Sequence, residues 1–196
     1  GDGAYFQFEG EGFSVKLSKS TGYVEQLKIG EAVIDGAFAT FEAVKTSKDP
    51  WGTFEKEYPR ESECFRLADK KYVNNIIRSS FDNENVRVIE DGEVRTVVEA
   101  VYVLGDSRIV ARYAFPKKGG HFDLSLDVFW LESDMLLKLA LPFGNGELSG
   151  HTMFSSEIIP CDGKETAFQK YLLWSGKSCN IAVINDCEHG VDWLNG

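Results

Sequence analysis

The chain has 196 residues, with 21 Lys and Arg against 31 Asp and Glu, a formal charge of −10 and a pI near 4.8. An acidic surface without basic clusters repels phosphate backbones and anionic lipid, which argues against nucleic acid or a membrane surface as partner. No apolar run approaches the length of a membrane helix, nothing at the start resembles a signal peptide, and the hydrophobic share of 43% supplies a large core.

In chain order the pattern is apolar–polar alternation broken by Gly, Asn and Asp, which predicts strands and no convincing helix. Phe13, Val15 and Leu17 alternate, Ser20-Thr21-Gly22 turns the chain, and Tyr23 to Ile29 continues it. Thr46 to Glu61 reads as a long loop with two of the five prolines, and loops of that length tend to carry function or to cover something. Glu93 to Lys117 reads as a hairpin turning at Gly105-Asp106-Ser107. Phe122, Leu124, Leu126, Val128 and Trp130 then form one face of a strand, with Asp123, Ser125 and Asp127 on the other. Further strands are predicted over Leu136–Leu141, Thr152–Ile159, Thr166–Trp174 and Asn180–Asn185. Val94 to Leu104 is apolar on both faces, which implies burial between layers. The expected fold is all-β: one large antiparallel β-sandwich domain spanning residues 1–196.

Four scattered cysteines, Cys64, Cys161, Cys179 and Cys187, match no zinc spacing and read as buried, reduced thiols, so a cytoplasmic location is expected. The stretch Asn185-Asp186-Cys187-Glu188-His189 offers metal-ligating types, but in an extended chain they point to opposite faces, so it reads as a strand running into a turn and no metal site is assigned. Asp123 and Asp127 share a face about 13 Å apart, too far for a retaining glycosidase pair, and Glu157 with Glu165 is a further carboxylate pair. No nucleophile elbow, phosphate loop or HExxH is present, so no catalytic residue is assigned. Two of His121, His151 and His189 with a carboxylate could still serve a sugar epimerase. Trp51, with Phe54 and Tyr58 nearby, could stack on a sugar or plug the end of the sandwich.

Taken together, DPWG (49–52), EDGEVRTVVEA (90–100), LDVFWLESDMLLKLALP (126–142), FQKYLLW (168–174) and INDCEHGVD (184–192) resemble, in their order, the β-sandwich region behind the catalytic domain of glycoside hydrolase family 38, the α-mannosidases. The likeness runs from about Phe13 to the last residue. It implies a galactose-mutarotase-like supersandwich, excised from a longer multidomain glycosidase. It also implies an N-terminal α/β barrel of the same polypeptide as partner, with the zinc and catalytic carboxylates on that barrel and no cofactor in this chain. The function implied is that of an accessory domain in retaining hydrolysis of α-mannosides, inactive alone. The low-specificity candidates for contact with the carbohydrate are Trp51, Gln169, Lys170 and Trp174, chosen by loop position and chemistry. Three alternatives stay open: a stand-alone carbohydrate-binding module, a mutarotase-like epimerase, and the corresponding sandwich of a β-galactosidase, which the opening GFSVKLSKSTGYVEQLKIG (12–30) also resembles.

Overall fold

The computed structural model describes residues 3–46, 61–77 and 83–194. Trp51 and most of the long loop lie outside these residues.

Tyr5–Glu9 (β1), Phe13–Ser18 (β2), Val24–Ile29 (β3) and Ala32–Phe38 (β4) form an antiparallel meander. Thr40–Lys45 (β5) lies between Met135–Ala140 (β12) and Ser62–Cys64 (β6). The largest sheet is built on Arg95–Leu104 (β9). It pairs along its whole length with Ser107–Pro116 (β10) and on its other edge with Val86–Asp91 (β8) and then Arg66–Leu67 (β7). Asp123–Phe129 (β11) completes that sheet beside β10. Ser155–Ile158 (β14), Glu147–Thr152 (β13), Tyr171–Ser175 (β16) and Asn180–Ile184 (β17) form a second four-stranded sheet in that order. Thr166–Ala167 (β15) pairs with Gly190–Val191 (β18). The all-β antiparallel sandwich read from the alternation is the fold observed.

Aromatic contacts join the sheets. Tyr102 of β9 stacks on Tyr23 beside β3 with centroids 4.7 Å apart and meets the edge of Phe41 of β5 at 5.1 Å. Phe8 of β1 stacks on Phe115 of β10 at 4.0 Å. Phe38 reaches Phe143, which stacks on Trp174 of β16 at 5.1 Å. One contiguous apolar cluster therefore draws on all four larger sheets. Large rings bury the most area per side chain and fix the sheets against one another through their offset and edge geometries.

β9 is buried on both faces, as its composition predicts. Its outer face carries the one helix of the described residues, Lys70–Ile76 (α1), which places Val73 against Val101 with Ala68. The alternation predicts no helix, and α1 departs from that pattern. Seven residues are too few to show a 3.6-residue period, and the start is set locally by Asp69, whose carboxylate accepts the Tyr72 N–H at 2.7 Å. Beside α1, Glu99 (6% exposed) bridges Arg87 at 2.6 Å and Arg112 at 2.9 Å, and Arg112 continues to Asp127 at 2.7 Å. Asp127 is thus tied into a charge ladder on the outer face.

Three further expectations are revised. The strand expected over Thr152–Ile159 is two strands with a turn at Met153-Phe154, in a sequence holding no Gly, Asn or Pro to mark it. The strand expected over Thr166–Trp174 is β15 and β16, separated by Phe168-Gln169-Lys170. The cysteines are unbridged but not buried: Cys64, Cys161 and Cys187 are exposed and Cys179 is half-buried. Cys64 ends the edge strand β6, and the others sit in connections, Cys179 packed against the core from the β16–β17 connection.

Candidate functional site

Two connections meet at one end of the β14-β13-β16-β17 sheet. Phe168-Gln169-Lys170 leads from β15 into β16, and Asn185 to His189 leads from β17 into β18. The short β15–β18 ladder holds them side by side, and its register pairs Thr166 with Val191 and Ala167 with Gly190. Backbone bonds continue the ladder: the Phe168 N–H donates to the His189 carbonyl and the Asn185 N–H to the Lys170 carbonyl, both at 3.0 Å. A third bond, from the Gln169 N–H to the His151 carbonyl at 2.8 Å, ties the segment to β13.

Asn185 organises the turn. Its Nδ2 donates to the Gln169 carbonyl at 3.2 Å, and its Oδ1 accepts the Glu188 N–H at 3.0 Å. An asparagine that bonds its own backbone three residues on replaces strand pairing with a turn, which is why the chain leaves β17 here. Between the segments lies an open groove of about 500 Å³ lined by Ala167, Phe168, Gln169, Lys170, Asn185, Asp186 and His189. Phe168 is buried and anchors the floor, whereas Gln169, Lys170, Asp186 and His189 are exposed. An amide, an ammonium, a carboxylate and an imidazole facing one concavity can donate to and accept from the hydroxyls of a polar ligand.

The turn also draws Asp186, Cys187 and Glu188 together, with one potential ligand atom of each within 4.8 Å of the others. Strand alternation put these residues on opposite faces; the Asn185 turn removes that alternation. All three are exposed, and His189 is not one of the group. A hydrogen bond with Asp186 and the charge of Glu188 hold the Cys187 thiol above its ordinary pKa. Metal ligation needs the thiolate, and this surrounding favours the protonated form. Among the described residues no other three His, Cys, Asp or Glu side chains converge this closely.

The sequence candidates divide. Gln169 and Lys170 both line the groove. Trp174 is 7% exposed, one face stacked on Phe143 and Nε1 donating to the Gly144 carbonyl at 3.3 Å. Gly146 and Gly176 crowd its ring so closely that a Cβ on either would lie within 2.5 Å of it. A ring so enclosed packs the sandwich and offers no open face to a sugar. Trp51 lies outside the described residues. The sequence pattern offers Asp186 and His189 as metal-ligating types, and His189 also as an epimerase histidine; that they and Asn185 share a groove with Gln169 follows from the β15–β18 pairing, which spans residues far apart in sequence. Of the histidines, His151 packs against Tyr171 with centroids 5.2 Å apart, its Nδ1 buried without a hydrogen-bond partner, and His121 lies in the β10–β11 connection.

With this fold in place, the sequence matches the model of the glycosyl hydrolases family 38 C-terminal domain over residues 13–196. The chain belongs to this family. The match begins at the first residue of β2 and takes in every strand of the sandwich except β1. No curated protein matches the sequence significantly. No helix among the described residues is long and apolar enough to cross a membrane.

Proposed function

We propose that this chain is the accessory β-sandwich of a retaining α-mannosidase and that hydrolysis belongs to an N-terminal α/β barrel of the same polypeptide. The single observation that carries this reading is the family 38 match across 13–196. Three of the described carboxylates are engaged structurally, which accords with it: Asp127 with Arg112, Glu99 with two arginines, and Glu157 with Thr152. In the barrel, a zinc ion would hold sugar hydroxyls beside an aspartate nucleophile and an acid carboxylate. The groove of Gln169, Lys170, Asp186 and His189 then borders the substrate cleft and bonds the outer part of the glycan. Three exposed, unbridged cysteines suit a reducing compartment, which supports a cytoplasmic location.

The groove also favours a second reading, a carbohydrate-binding module that works without a barrel. One experiment separates the two. This chain and the intact polypeptide are each assayed for aryl α-mannoside turnover and titrated with mannose and a short α-mannoside. The expected result is turnover by the intact polypeptide, none by the chain, and no heat with the chain. Gln169→Ala or Lys170→Ala in the intact polypeptide should raise KM about five-fold, the loss of roughly one net hydrogen bond of about 1 kcal/mol, with kcat preserved. Sugar binding by the chain alone selects the module. Turnover of an aryl β-galactoside instead overturns the mannosidase reading.

A further inference from the structure

The outer face of the β14-β13-β16-β17 sheet is unlike the rest of the surface. The pairing register places Ile158, Ser149, Leu173 and Ala182 in one row across it, and Ser156, His151, Tyr171 and Ile184 in the next. None of these eight side chains is charged, in a chain where 27% of residues are. Ile158 and Ile184 are 65% and 80% exposed. At the same end, the β13–β14 turn holds out Met153 and Phe154, and Phe154 is 97% exposed. Phe154 also has φ = +66°, a left-handed conformation that costs a side-chain-bearing residue about 1–2 kcal/mol. Turn chemistry favours Gly or Asn there, and the Phe ring gains nothing from this fold. The outer face of the β9 sheet differs: α1 and the Arg87–Glu99–Arg112–Asp127 ladder cover it.

The rim is acidic. Glu147 continues the same face in the row Glu147, Ser175 and Asn180, and the exposed Asp186 and Glu188 follow β17 at its other end, against Lys170 and Lys177 in the flanking connections. A second copy would bring the same carboxylates together, and an anionic lipid surface would be repelled. We propose that this face, with the Met153-Phe154 tip as its knob, docks a neighbouring domain of the same polypeptide whose contact surface is apolar at its centre and rich in Lys and Arg at its rim. This inference rests on the accessory-domain reading and names the surface that reading requires. Apolar rows surrounded by charge, with an exposed aromatic as anchor, are the anatomy of a specific protein interface. The face borders the groove at Tyr171 and Ile184, so docking here also seats the groove at the domain boundary.

The test is amide hydrogen exchange on this chain and on the intact polypeptide, with sedimentation velocity on both. Exchange across 153–158 and 180–184 should slow at least tenfold in the intact polypeptide. Phe154→Asn with Ile184→Thr should abolish that protection while leaving the circular dichroism of this chain unchanged. Equal exchange in the two forms overturns the proposal. So does a native protein with the mass of this chain alone, or self-association of this chain that the double substitution removes. Protection without any α-mannoside turnover by the intact polypeptide would reject the mannosidase reading and leave the docking face standing.

Discussion

Gly22 and Tyr102 show how single atoms set the core. Gly22 turns the chain into β3 at φ = +79°, and a Cβ there would lie 2.5 Å from the Tyr102 hydroxyl. The hydroxyls of Tyr102 and Tyr113 are neighbours in the core, yet neither makes a hydrogen bond of good geometry. Gly22→Ala should therefore lose about 3 kcal/mol, from the left-handed backbone and the clash together. In a Tyr102→Phe background, where the oxygen is gone, the loss should shrink by about 1 kcal/mol, and Tyr102→Phe alone should be close to neutral. Urea melts of the four proteins measure the cycle; strict additivity would show that the hydroxyl is not what Gly22 accommodates. At this scale the sequence is readable where residue type and backbone agree, as at Ser20-Thr21-Gly22. It misleads where they conflict, as at Phe154, because nothing local asks for a turn in His-Thr-Met-Phe-Ser-Ser.

The central hairpin of β9 and β10 was legible from Gly105 and the double-faced apolar run, since local turn chemistry and burial point to one answer. The outer charge ladder on the same strands was not, because it needs the register of β8, β9, β10 and β11 at once. Glu99 is its centre. Glu99→Ala should cost about 2 kcal/mol, below the value for a fully buried pair because Arg112 is partly solvated. Thermal unfolding would show this, and a change under 0.5 kcal/mol would mean the arginines find water as easily as they find Glu99. The groove was half legible: FQK and NDCEH each carry polar or ligating residue types, but their adjacency depends on the β15–β18 ladder between residues more than twenty apart.

At the scale of the molecule, three buried tyrosines make the fold sensitive to alkali. Burial raises the pKa of Tyr23 and Tyr102 well above 10 and pushes Tyr113 up to about 12. Below pH 10 both folded and unfolded chains keep these phenols protonated, so stability is unaffected. Above pH 10 the unfolded chain releases protons that the folded chain retains, and stability falls by up to about 1.4 kcal/mol per pH unit for each phenol. The midpoint of urea unfolding should hold steady from pH 7 to 9.5 and drop steeply from pH 10 to 12. Tyr113→Phe should flatten that drop. A flat wild-type profile would mean the three rings are solvated. The fold class was legible at this scale because period-two alternation repeats along the chain. What covers each sheet was not, because strand periodicity fixes which residues share a face and leaves open what lies against it.

The turn that gathers Asp186, Cys187 and Glu188 gives the chain a chemical reporter. Two carboxylates keep the Cys187 sulfur protonated, so its alkylation by a neutral maleimide near pH 7 should lag behind that of an ordinary exposed thiol. Any cation brought against those carboxylates, such as a docked Lys or Arg, relieves this suppression and quickens the reaction wherever the sulfur stays accessible. Mass spectrometry of Cys187 modification over time, with Asp186→Asn as the fast-reacting reference, would read the electrostatics of the groove rim without any sugar or substrate. A Cys187 that labels at the same rate in both proteins would mean that the carboxylates do not govern it.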